Sequence, residues 1–148
     1  VTVRVTVAPA SRAVWIAEDD LDDRLLLEDA FREARVSMPL RFADDGEALL
    51  DALRAWANGK DPVVPALVLM DLNMPLLDGH ETLQQLKADP RLRHIPVVML
   101  TTSHAPHDVE RSYAYGVSSF ISKPVTFEGL VELADTLNQY WLRTVRLP

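Results

Sequence analysis

No cysteine occurs among the 148 residues, so neither a disulfide framework nor thiolate chemistry can operate, and the composition leaves the redox compartment open. Runs of lysine or arginine are also missing. At a formal charge of −7 the chain lacks the basic stripe that a nucleic-acid-binding surface carries. No apolar stretch approaches the roughly 18 residues that a membrane span needs, and the N-terminus lacks the charged-then-apolar layout of a signal peptide. A cytoplasmic protein without nucleic-acid or membrane partners is expected. Glycine is scarce, five in all. Gly46, Gly79 and Gly116 read as turn or cap residues, and no glycine-rich loop exists to cradle a phosphate. What is present suits one ordinary globular domain, with 48% hydrophobic and 25% charged residues, enough for a full core.

Residues 1 to 7, "VTVRVTV", alternate with period two and are expected as a strand or clasp, with a disordered tail as the plain alternative; "APAS" follows as a linker. We therefore separate an arm, residues 1–12, from a domain over 13–148. "AVWIA" (13–17), "LRFA" (40–43), "ALVLM" (66–70), "IPVVMLTT" (95–102) and "SFIS" (119–122) read as strands. Unbroken apolar runs suit strands covered on both faces. Between them, helical spacing appears in Leu27, Ala30, Phe31 and Ala34; in Leu49, Leu50, Leu53 and Trp56; in "HETLQQLKAD", closed by Pro90; and in "PHDVERSYAYG". Behind a Thr126 cap, Phe127, Leu130, Val131, Ala134, Leu137 and Trp141 share a last stripe. Five strands alternating with five helices predict an α/β domain with a parallel sheet and right-handed crossovers.

In such a sheet, ligands bind beyond the carboxyl ends of the strands. The first run ends in Glu18-Asp19, the third in Asp71, the fourth in Thr101-Thr102 and the fifth in Lys123-Pro124. If those strands are neighbours, three carboxylates, a hydroxyl and an ammonium meet at one edge. Three acids so close resist full ionisation unless a cation neutralises them. A hard divalent ion such as Mg²⁺ would take Glu18, Asp19 and Asp71, with a loop carbonyl after Asp71, and leave Thr101 and Lys123 to receive phosphoryl oxygens. The constellation points to phosphoryl transfer with an aspartate as nucleophile. Plainer roles go to other residues. Asp20, Asp22 and Asp23 are expected to cap or solvate the first helix, His104 and His107 to lie in a solvated loop, and Met70, Met74 and Met99 to pack.

The segments "EDD", "MDLNMPLLDG", "LTTS" and "SKP", in that order, resemble the receiver domain of two-component response regulators over roughly residues 13–142. The wording "DLNMP", "KADPRLRHIPVV" and "LTTS" is most similar to the stand-alone regulators that partner bacterial phytochromes. The resemblance implies a flavodoxin-like sheet of order 2-1-3-4-5 and a phosphoprotein, with no enzymatic or DNA-binding output domain. It implies Asp71 as phosphoacceptor and Glu18, Asp19, Asp71 and the Asn73 carbonyl as the Mg²⁺ site, with Mn²⁺ as a possible substitute. Thr101 and Phe120 become the switch pair, Lys123 the phosphate-binding lysine, and Pro124 a cis proline. The expected partners are a sensor histidine kinase, such as a bacteriophytochrome, and an unidentified downstream protein. A homodimer is expected through the last helix, with Leu133, Tyr140 and Trp141 as interface candidates. The sequence departs from the family at Thr102, where a smaller residue is usual, and at Phe120, where tyrosine is frequent. A haloacid-dehalogenase-like phosphatase would need a second acid where Asn73 stands, and Glu18-Asp19-Asp20 would repel the phosphate of a flavin. A phosphate-independent interaction module is the remaining alternative.

Overall fold

A computed structural model describes residues 11–72, 74, 77–102 and 105–140. The expectations for the N-terminal arm, Asn73, His104 and Trp141 fall outside them. The element order is β1 (Arg12–Ala17), α1 (Leu21–Glu33), β2 (Leu40–Ala43), α2 (Gly46–Ala57), β3 (Val64–Met70), α3 (Gly79–Ala88), β4 (Val97–Thr101), α4 (Pro106–Ala114), β5 (Ser119–Ser122) and α5 (Phe127–Leu137). All strand pairs are parallel and the sheet order is β2-β1-β3-β4-β5. The flavodoxin-like architecture expected from the resemblance is the one present.

The apolar runs of β1, β3 and β4 are unbroken because both sheet faces are covered. Val14, Ile16, Leu67, Leu69, Val98 and Leu100 pack with Leu27, Ala30 and Phe31 of α1 and with α5. Alternate residues Trp15, Ala17, Val68, Met70, Val97 and Met99 pack with Leu49, Leu50 and Leu53 of α2 and Leu83 and Leu86 of α3. Met70, Met74 and Met99 are buried, as expected. Side-chain caps fix where four helices begin. Asp20 accepts from the Asp22 and Asp23 amides in α1, Asp45 caps α2, Asp78 caps α3 and Thr126 caps α5, each satisfying donors that a helix leaves unpaired. β5 forms the sheet edge beside α4, and its Phe120 amide donates to the Tyr113 hydroxyl at 3.3 Å.

Three expectations need correction. The buried face of α5 consists of Leu130, Leu133, Ala134 and Leu137, so Leu133 belongs to the core beside α1 and not to a dimer surface, while Phe127 is 38% exposed. Apolar residues on α5 span more than one stripe, and the packing partner α1 selects which of them turn inward. His107 stands in α4 and not in a loop, because Pro106 starts that helix at a position where its missing N–H costs nothing. The peptide bond before Pro124 is trans, the isomer intrinsically preferred even before proline. Tyr140 remains exposed.

Because Leu133 is buried between α5 and α1, Leu133→Ala is expected to cost about 2–5 kcal/mol. Urea unfolding should show this as a lowered midpoint with an unchanged slope.

Candidate functional site

Four strand ends meet as the sheet order requires. Thr101, fully buried at the end of β4, donates from Oγ1 to Asp71 Oδ1 at 2.9 Å. Lys123 follows β5, and its backbone N–H donates to the Thr101 carbonyl at 2.8 Å. Its ammonium then reaches back across the sheet edge to Glu18 Oε1 at 3.4 Å and Asp23 Oδ2 at 3.1 Å. Glu18, Asp71 and Lys123 line one pocket whose floor is Ile16, Ala17, Leu27, Leu69, Met70 and Leu100.

Local backbone geometry holds these groups. A Cβ on Gly79 would stand 2.6 Å from the Asp71 carbonyl oxygen and 2.8 Å from Leu72 Cα. Only glycine lets the first turn of α3 approach the Asp71 strand end so closely. From α1, Arg24 donates through Nε to the Glu18 carbonyl at 2.7 Å, pairs with Asp44 and lies over the Phe42 ring. Behind the loop, the buried His80 of α3 bonds through Nε2 to Ser112 Oγ of α4 at 2.8 Å.

Charge is unevenly shared. Burial, helped by the hydrogen bond to Asp23, pushes the Glu18 carboxyl from 4.5 up to about 7, against the pull of Lys123. Asp23 moves the other way, held below its ordinary value chiefly by the hydrogen bond with Glu18 and also by Lys123. Burial alone would lower Lys123, but Asp23, Glu18 and Asp71 more than offset it, so the ammonium is held above its ordinary range. Burial therefore favours the protonated form of Glu18 at pH values where an exposed glutamate is ionised.

A buried carboxylate that holds a proton for want of charge compensation suits a cation, and the donors are all oxygen, as Mg²⁺ or Mn²⁺ prefers. Among the described residues no three His, Asp or Glu side chains are already clustered as ligands. Glu18 and Asp71 line the pocket, and the adjoining Asp19, backbone and water would supply the other ligands.

The structure brings Glu18, Asp71, Thr101 and Lys123 together as expected. Asp19 is exposed and outside the pocket lining. Phe120 is half-buried, packed against the α2–α3 core, and Thr102 lines an outer groove with Asp23, Lys123 and Pro124. Sequence reasoning missed Asp23 and Arg24 as site neighbours. Their only signal is their place in the first turn of the helix that follows the acidic strand end.

The family model for the response regulator receiver domain matches residues 14–135. The chain belongs to that family. Among curated relatives, this receiver is 38% identical over 135 residues to the probable methanogenesis regulatory protein FilR2 of Methanothrix harundinacea, covering 91% of this chain and 86% of FilR2. It is 33% identical over 137 residues to response regulator Rcp1 of Synechocystis, covering 93% of each. Among solved structures, RPA3017, a response regulator in red light signalling of R. palustris, superposes with a TM-score of 0.85 at 36% identity, covering 93% of this chain and 98% of that one. The Mn²⁺-bound form of Rcp1 gives 0.80 at 33%, covering 95% and 99%. The bacteriophytochrome response regulator AtBRR gives 0.72 at 37%, covering 90% and 96%. Phytochrome-associated regulators are thus among the near structural neighbours of this receiver.

The raised Glu18 carboxyl sets a pH dependence for the metal-free protein. The folded state binds more protons than the unfolded state between about pH 4.5 and 7, so stability falls as pH rises through that window. In urea titrations with EDTA, Glu18→Gln should remove this slope and be more stable than the native chain at pH 8.

Proposed function

We propose that this receiver acts as a stand-alone response regulator in which Asp71 accepts a phosphoryl group from a phosphohistidine of a sensor histidine kinase. The observation that carries this reading is the Thr101 hydroxyl bonded to Asp71 at 2.9 Å, in a pocket that also holds Glu18 and Lys123. An Asp71 carboxylate oxygen attacks phosphorus as the P–N bond to the kinase imidazole breaks. The imidazole leaves with the bond's electron pair, and an acyl phosphate remains on Asp71. Glu18, Asp19, Asp71 and the Asn73 carbonyl would hold Mg²⁺ or Mn²⁺, which supplies charge neutralisation for the transferred group. The Mn²⁺-bound form of Rcp1 supports binding of a divalent cation.

Lys123 and Thr101 stabilise the product through charge-assisted hydrogen bonds to the phosphoryl oxygens. As Thr101 turns toward the phosphoryl group, Phe120 turns inward and the surface of α4, β5 and α5 is biased toward a second arrangement. The population shift is limited by the difference in phosphate affinity between the two states. Phytochrome-type light signalling is the pathway supported by RPA3017 and AtBRR. A homodimer whose surface includes the exposed Tyr140 is the assembly through which this receiver engages a partner protein.

Incubation with acetyl phosphate and Mg²⁺ should add one phosphoryl group to the intact mass. Omitting Mg²⁺ or introducing Asp71→Asn should abolish the gain, and light scattering should show a concurrent change in assembly. No gain from either acetyl phosphate or a purified cognate kinase would replace this reading with a phosphate-independent interaction module.

A further inference from the structure

Asp23 looks at first like an ordinary first-turn acid of α1, where a negative charge is favoured by the helix dipole. The capping itself, however, is done by Asp20, whose Oδ1 takes the Asp22 and Asp23 amides at 2.8 and 3.1 Å. Asp23 is left to use its carboxylate elsewhere. Its Oδ2 lies 3.1 Å from the ammonium of Lys123, 100 positions further along the chain. The two are unequally exposed. The Lys123 side chain is 14% accessible and the Asp23 side chain 40%, so a nearly buried ammonium is held by a carboxylate that still has water on one side.

Lysine carries its charge on a long flexible stem, and a site that needs the ammonium at one place must hold it there. Two carboxylates share this task, Glu18 at 3.4 Å and Asp23 at 3.1 Å. They differ in their other commitments. Glu18 is also a ligand for the cation in the reading above, whereas Asp23, though hydrogen-bonded to Glu18, is in no ligand set. It is the acid that can stay on Lys123 whatever occupies the metal position.

We propose that Asp23 is a positioning residue for Lys123, holding the ammonium on the α1 side of the pocket and competing with a phosphoryl group on Asp71 for it. This rests on Asp71 being the phosphoacceptor. Removing the Asp23 charge leaves the phosphoryl group as the stronger claimant, so binding of an acyl-phosphate mimic tightens. A residue that merely supported the α1 turn would change stability and leave that affinity alone.

The test is a titration with beryllofluoride at fixed saturating Mg²⁺, followed by fluorine NMR, on the native chain, Asp23→Asn and Asp23→Glu, with urea midpoints confirming that each variant folds. Asp23→Asn is expected to lower the half-saturating concentration by about two- to fivefold, the scale of a partly exposed ion pair. Asp23→Glu keeps the charge and should stay near the native value. Unchanged or weaker binding by Asp23→Asn overturns the proposal, as does equal tightening by both variants, since charge would then not be the cause. A native chain that takes up no beryllofluoride removes the phosphoacceptor reading, and the proposal with it. Binding by the native chain combined with failure of the Asn effect removes the proposal alone.

Discussion

A single ammonium, that of Lys123, faces the carboxylates of Glu18, Asp23 and Asp71 across the carboxyl edge of the sheet. Everything else in the fold serves to bring these groups together and keep them there. The acids come from β1, α1 and β3 and the lysine from the far end of β5, more than 100 positions from Glu18. Only the reversal of strand order, with β1 between β2 and β3, makes them neighbours. The cost of gathering so much like charge is met by apolar burial beneath it, where every strand residue from Ala66 to Met70 is covered. Burial, with the hydrogen bond to Asp23 beside it, raises the Glu18 carboxyl, and a cation would offset that penalty.

The strand ends were legible because apolar runs that fill both faces stop abruptly at acids, and such a stop can be read without coordinates. Glu18 and Asp71 each follow a run of this kind. The face of α5 was less legible. Phe127, Leu130, Val131, Leu133, Ala134 and Leu137 cover too much of the helix for periodicity to choose among them, and the choice falls to the surface of α1. Asp23 reads as a capping or solvating residue, because its position in a first turn is sufficient reason for an acid there. Nothing local records that Lys123 will arrive beside it. Long-range partners of charged residues are set by topology, and topology is only partly written in any short segment.

The helices are not held equally. α1, α2, α3 and α5 each begin with a side-chain cap, whereas α4 has none and contributes Ser112 as its buried residue. Its attachment to α3 is polar, through His80 and Ser112, with the Tyr115 ring edge-on to His80 at 5.7 Å. An element with little apolar burial and few fixed ends opens at lower free energy than the core around it. That places a weakly anchored helix beside β5, where Tyr113 meets the Phe120 amide.

The bond from the Phe120 amide to the Tyr113 hydroxyl has a meaning beyond α4. β5 is one of the sheet's two borders, four residues long, and unused donors on such a border are templates for strand addition and edge-to-edge aggregation. A tyrosine from the chain's own helix occupies one of those donors, on a strand already too short to zip readily with another. Such a border favours solubility at high concentration, and it directs self-association toward side-chain surfaces in place of a continuous intermolecular sheet.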